Sequence, residues 1–100
     1  MPYRPKHTRK DTNHALVVGD CRYLGMVVWD TADLGGEVLD TVVCWRGRCL
    51  PVEIKPPGKE TKLTAGELEA IIQLRRVGVE AVVATCLEDV LEAFDDYLHR

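Results

Sequence analysis

The sequence predicts an α/β domain, with helices packed on a small mixed sheet, and three observations carry that prediction. Helical and strand-type apolar patterns follow one another in the order α-β-β-β-α-β-α. Two of the strand-type runs flank a tight-turn pair, Arg46-Gly47, and so predict a hairpin. With 100 residues and 46% apolar content, the chain can bury one modest core. An alternation of strands and helices of this kind gives an α/β sandwich. Residues 1–10 read as a flexible basic arm and residues 11–98 as a single domain.

The elements follow from local signals. Asp11, Thr12 and Asn13 are good N-caps. The run Asn13–Leu24 places Val17, Cys21 and Leu24 on one helical stripe that Gly25 closes, although Val17, Val18 and Gly19 weaken it. MVVW at 26–29 reads as a short strand, and DTADLGG after it as a loop. Strands are expected at 38–45 and 48–55, with Pro51 suggesting an edge position or a bulge. Pro56, Pro57 and Gly58 impose a loop. Thr64 and Glu67 form a capping box for a second helix, with Leu68, Ile71 and Ile72 as its buried stripe. Arg75 and Arg76 suit the negative end of that helix, and Gly78 follows it. VEAVVA at 79–84 reads as a buried strand. Cys86–Leu98 reads as an amphipathic helix carrying Val90, Leu91, Phe94 and Leu98.

Several function classes are set aside by composition. No apolar run reaches the roughly 20 residues that span a bilayer, so no membrane association is expected. The basic N-terminus has no apolar stretch behind it, which points to the cytoplasm. Four cysteines without a CxxC pair do not suggest structural zinc. Cys44 and Cys49 flank the turn and could face each other, but the expectation is two half-buried residues kept reduced. Net charge is −3, with basic residues loaded into the first ten positions and acidic ones into the last helix. That asymmetry suits either a basic arm aimed at phosphates or simply a solvated tail and helix face.

The chemistry comes from the hairpin register. A two-residue turn at Arg46-Gly47, or a four-residue one, pairs Trp45 with Arg48 and Cys44 with Cys49 and so places Asp40 opposite Glu53, whereas a three-residue turn with a bulge would shift the register by one. Opposed side chains have Cβ atoms about 4.5–5.5 Å apart. Two carboxylates at that spacing repel unless a cation lies between them, and hard oxygen ligands suit Mg²⁺ or Mn²⁺. Lys55 falls on the same face as Glu53, and Ile54 on the other. Asp40, Glu53 and Lys55 thus form a minimal metal-dependent phosphodiesterase site. The competing reading has Asp40 capping a strand while Glu53 and Lys55 lie exposed at a fraying end.

These residues also carry a family resemblance. DTNH at 11–14, LGMVVWDTADLGG, VLDTVV with Asp40, VEIK with Glu53 and Lys55, and KLTAGE at 62–67 occur in that order. The ordered set resembles the PD-(D/E)XK nuclease superfamily, and within it the VRR-NUC (virus-type replication-repair nuclease) branch, from about Arg9 to Ala93. The resemblance implies a restriction-endonuclease-like core with helices on both faces of the sheet. It implies that Asp40, Glu53 and the backbone carbonyl of Ile54 bind Mg²⁺ or Mn²⁺, and that Lys55 serves the attacking water. It further implies DNA phosphodiester hydrolysis on branched DNA such as Holliday junctions, by a homodimer, in a bacterial or viral-host cytoplasm.

Three departures stand out. Leu39 replaces the proline usual before the motif Asp, and the glycine loop reads Gly35-Gly36-Glu37. The first helix would lend a Glu or Gln, where the nearest candidates are His14 and Leu16. Leu16 cannot bind a metal. His14 could ligate the metal or hold its water, or be a surface histidine near an N-cap. Arg9, Lys10, Lys59 and Lys62 are the candidate phosphate contacts, while Arg46 and Arg48 sit at the far end of the hairpin. Trp29 and Trp45 could stack on bases, although core or dimer packing is the expected role.

Three functions are therefore in competition: a metal-dependent structure-selective endonuclease, a catalytically inactive nuclease-fold module that binds DNA or recruits a protein, and an assembly protein that dimerises through its hairpin.

Overall fold

The computed structural model describes residues 8–34 and 38–98, without the side chains of residues 8–11 and 96–98. Residues 1–7 of the expected arm and the Gly35-Gly36-Glu37 loop lie outside the described residues. The elements are α1 (Thr8–Tyr23), β1 (Val27–Asp30), a 3₁₀ turn (Ala32–Leu34), β2 (Thr41–Trp45), β3 (Arg48–Ile54), α2 (Ala65–Arg76), β4 (Val82–Ala84) and α3 (Leu87–Leu98). This is a small mixed α/β domain with a four-stranded sheet and three helices among the described residues. The α-β-β-β-α-β-α order matches the expectation, while strand and helix ends differ from it. The first helix starts at Thr8 rather than Asn13, and the fourth strand is shorter than 79–84. No described helix is long and apolar enough to cross a membrane.

Arg46 (φ 52°) and Gly47 (φ 81°) both lie in the left-handed region. A two-residue turn of that kind matches the twist of the strands it joins. It sets β2 against β3 with Thr41 opposite Val52, Cys44 opposite Cys49 and Trp45 opposite Arg48. β1 adds antiparallel to β2, and β4 adds parallel to β3, giving the order β1-β2-β3-β4. Pro51 lies within β3 and has no N–H to donate. Because β4 pairs only from Val52 onward, no ladder bond on that side is forfeited there.

The sheet divides two unequal cores. On one face Val28, Val43, Leu50, Val52, Ile54, Val82 and Ala84 pack with Val17, Val18 and Cys21 of α1 and Val90 and Phe94 of α3. Burial of this α1 stripe explains why the helix persists through Val17-Val18-Gly19: tertiary packing outweighs weak propensity. Trp45 meets Phe94 edge-to-face, with ring centroids 5.6 Å apart. On the other face a smaller cluster joins Leu39, Ala70, Ile71 and Ala81, with Leu63, Leu74 and Val83 beside it.

Several stripe positions are corrected. Leu24 of α1's expected stripe, and Leu68 and Ile72 of α2's, are exposed, whereas Ile71 is buried as expected, with Ala70 beside it. Leu98 lies outside the described side chains. Cys44 and Cys49 are not a reduced pair: they are joined as a cross-strand disulfide, because the register sets them directly opposite.

Phe94 is 1% exposed and links α3 to Trp45 across the larger core. Phe94→Ala is expected to cost about 3–5 kcal/mol, a large share of the roughly 5–15 kcal/mol that holds a domain together. The check is a lower urea midpoint with an unchanged slope.

Candidate active site

The charged residues singled out by the sequence gather at one end of the sheet, where β2 begins and the parallel pair β3 and β4 ends. Clefts at the carboxyl ends of parallel strands are common ligand sites in α/β sheets. Backbone geometry puts the carboxylates there. The Arg46-Gly47 register continues one step past Thr41–Val52 to Asp40 and Glu53. The two interlock: the Asp40 amide donates to Glu53 Oε1 (3.2 Å), and the Ile54 amide donates to Asp40 Oδ2 (3.1 Å). Thr31 fastens the end of β1 to the same place, its amide donating to the Asp40 carbonyl (2.8 Å) and its hydroxyl to the Leu39 carbonyl. Asp40, Glu53 and Lys55 are all buried, so the expectation of a fraying exposed end is excluded for Glu53 and Lys55.

Glu53 is 1% exposed. Its Oε1 is used by the Asp40 amide, whereas its Oε2 is buried with no hydrogen-bond partner. Lys55 Nζ stands 3.7 Å from that oxygen but donates elsewhere, to Glu67 Oε1 at 2.8 Å. Glu67 belongs to the capping box of α2. Its Oε1 also accepts from the Thr64 amide (2.9 Å), while its own amide donates to Thr64 Oγ1 (3.1 Å). Ile54 lies between the two acidic residues and Lys55, its side chain in the larger core and its amide on Asp40.

Burial pushes the Glu53 carboxyl up, and the charge of Asp40 adds to it, to about 8. Burial acts on Glu67 in the same direction, but the hydrogen bonds from Lys55 and from the Thr64 amide override it and hold that carboxyl below its usual range. Neighbouring acids are thus driven apart, one to hold its proton and one its charge.

His14 comes from α1 and is not a surface histidine: it is 7% exposed. Its Nε2 bonds to Asp30 Oδ2 at 3.0 Å, and its Nδ1 lies 3.9 Å from Asp40 Oδ2. The helix position expected to lend an acid thus brings an imidazole to the flank of Asp40. Leu16 is 59% exposed and takes no part. A cavity of about 550 Å³ opens on that flank, lined by His14, Val18, Arg22, Asp30 and Asp33 among others. Asn13 ties α1 to the ends of both parallel strands, its Nδ2 donating to the carbonyls of Lys55 (2.9 Å) and Thr85 (3.3 Å).

Lys59 and Lys62 are exposed on the loop between β3 and α2. The side chains of Arg9 and Lys10 lie outside the described residues. Arg46 and Arg48 are at the opposite end of the hairpin, with the Arg46 guanidinium 4.1 Å over the Trp45 ring. Trp45 packs against the larger core, as expected, whereas Trp29 is 61% exposed on β1. Sequence reasoning missed the site roles of Glu67, Asp30 and Asn13. Glu67 did carry a signal, the capping box, but nothing in its spacing links it to Lys55.

Among the described residues no group of three or more His, Cys, Asp or Glu side chains is arranged to hold a metal ion. The carboxylates of Asp40 and Glu53 stand close together, with Glu53 Oε2 buried and without a hydrogen-bond partner and Lys55 beside it. Compared with known family models, curated proteins and solved structures, the chain matches none of them.

A raised carboxyl binds its proton more tightly in the folded chain than in the unfolded one. Its contribution to stability is full below about 4.5, the ordinary value, and is lost as pH rises through about 8. The melting temperature of metal-free protein is therefore expected to decline from about pH 5 to about pH 8. Glu53→Gln is expected to flatten that profile. An equally steep decline in the variant would assign the titration to another group.

Proposed function

We propose that this chain is a metal-dependent DNA endonuclease with a restriction-endonuclease-like core, of the PD-(D/E)XK type and its VRR-NUC branch. The observation that carries the reading is the convergence of Asp40, Glu53 and Lys55 at one sheet end, with Glu53 Oε2 buried and unpartnered. A buried carboxylate oxygen without a donor is costly unless a cation or proton meets it. Mg²⁺ needs no dedicated cage of protein ligands, since one or two carboxylates suffice when water and phosphate oxygens complete the shell.

In this reading Asp40, Glu53 and the carbonyl of Ile54 would hold Mg²⁺ or Mn²⁺. Bound there, such an ion supplies charge at the scissile phosphate and makes a water acidic enough to attack. Lys55 orients that water and faces the charge that develops on the phosphoryl oxygens. His14, fixed by Asp30, holds the flank of Asp40 where a helix acid would otherwise stand. Lys59 and Lys62, together with Arg9 and Lys10, grip the backbone of the DNA without reading its sequence. A homodimer with two sites related by a two-fold axis would suit branched DNA, each site cutting one strand of a junction.

A second reading, a DNA-binding or protein-recruiting module without turnover, is favoured by a different observation. The carboxylates of Asp40 and Glu53 each accept a main-chain amide, as structural acids do.

The two readings separate in one experiment. Four-way junction and linear duplex are offered to the protein with Mg²⁺ or Mn²⁺. Metal-dependent nicking is expected, abolished by Asp40→Ala and reduced about 10²–10³-fold by Lys55→Ala. Binding without nicking by the wild type, under either ion, selects the inactive module. Lys59 and Lys62 are tested separately. Their joint replacement by Ala is expected to weaken binding to all sequences alike and to lower the salt slope by about 2.

A further inference from the structure

We propose that Glu67 is a positioning residue of this site: it holds the Lys55 ammonium off Glu53 and so leaves Glu53 Oε2 open. This rests on the metal-dependent reading for its purpose and for the first of its two readouts, though not for the second. Helix capping does not account for the residue. A capping box needs an acceptor at this position, and a neutral glutamine can supply it. The negative charge suits the helix dipole as well, but neither role brings a buried lysine to it, and Lys55 Nζ stands 2.8 Å away.

The cap makes the acid immobile. Glu67 Oε1 is fixed by the Thr64 amide at 2.9 Å, and the Glu67 amide is fixed by Thr64 Oγ1 at 3.1 Å. The lysine therefore comes to the acid. Side-chain exposures of 9% for Lys55, 14% for Glu67 and 1% for Glu53 place all three out of bulk water. An ammonium in that setting must keep an anionic partner. Were Glu67 neutral, Glu53 Oε2 at 3.7 Å would be the next acceptor, within a shift of about 1 Å. That pairing would occupy Glu53 Oε2. Lys55 would then block the site it is meant to serve.

The test uses Glu67→Gln, which keeps the capping acceptor and removes the charge. Mn²⁺ affinity is read from the free-ion electron paramagnetic resonance signal, without DNA. Glu67→Gln is expected to raise the Mn²⁺ dissociation constant about tenfold. In a Lys55→Met background the same change is expected to matter less than about twofold, because no ammonium remains to be released. Equal losses in both backgrounds would mean that Glu67 acts on the ion through its charge alone, and would overturn the proposal. Loss in neither background would overturn it too.

A second readout needs no metal. The ¹⁵Nζ ammonium signal of Lys55, assigned by its absence in Lys55→Met, is expected to be unmoved by Glu53→Gln and shifted by Glu67→Gln. It is expected to vanish in the double variant. A signal lost in Glu53→Gln but unmoved in Glu67→Gln would make Glu53 the partner and end the proposal. A wild type that binds no Mn²⁺ would count against the metal-dependent function, while the ammonium signal would still decide the role of Glu67.

Discussion

Everything at the charged end of this sheet depends on a turn at its other end. Arg46 and Gly47 occupy left-handed backbone and close a two-residue hairpin, and from that closure the pairing of β2 with β3 is fixed residue by residue. A strand has a period of two, so a slip of one residue would move every side chain of one strand to the opposite face. With such a slip, Val43 would leave the larger core and Glu53 would lose the Asp40 amide. The apolar residues and the acids thus enforce the same register. Consistency of this kind, between burial on one face and a polar constellation on the other, is what makes a single pairing win.

The cost of the arrangement is the burial of ionisable groups. Asp40, Glu53, Lys55 and His14 are all buried. Removing charges from water carries a penalty of several kcal/mol each, offset only when the geometry of their partners is good. That offset comes from the backbone as well as from side-chain pairing. The Ile54 amide serves Asp40, the Asp40 amide serves Glu53, and the Thr64 amide serves Glu67. Lys55 is matched to Glu67, and His14 to Asp30. The remainder is the one oxygen of Glu53 without a donor. Raising that carboxyl to about 8 is how the metal-free chain relieves the debt, since a protonated acid is cheaper to bury than a charged one. Stability accounts for one oxygen of this acid, the acceptor of the Asp40 amide, but not for the other. An apolar residue of similar size would leave the buried Asp40 amide without its acceptor.

The sequence disclosed these parts unequally, and for physical reasons. The Asp40–Glu53 pairing was legible once Arg46-Gly47 is taken as a two-residue turn rather than a bulged three-residue one, and alternation then assigns Lys55 to the same face. The capping box was legible because its three-residue spacing is local. Glu67's grip on Lys55 was not, since that contact depends on how the loop from Pro56 to Thr64 returns α2 over the sheet. Of the readings left open for His14, the surface one fails, because α1 packs it beside Asp30 and Asp40, a contact between distant segments that local spacing does not show. Leu68 and Ile72 were assigned to the core from helical period, but α2 meets the sheet along a narrow strip. Period tells which residues share a stripe, not how wide a partner the stripe will find. The Cys44–Cys49 pair was visible in the register, and it was read as reduced on an argument about compartment, not geometry.

The position of the site between two cores gives it its mechanical character. Glu53 is anchored by neighbours on both sides in sequence, Val52 and Ile54, which are sunk in the larger core. Asp40 follows Leu39, which belongs to the smaller one. Glu67 begins the helix whose buried residues, Ala70 and Ile71, complete that smaller cluster. The carboxylate with the open oxygen is therefore set by the sheet, while the acid that holds the lysine is set by α2. A helix seated on so small a cluster has less to resist its displacement than a strand in the main core. Movement of α2 along the sheet would carry Glu67, and with it the ammonium of Lys55, relative to a stationary Glu53. The separation of lysine from open carboxylate is thus governed by how the second helix sits, so the cap at Thr64 belongs to the site as much as the strands do.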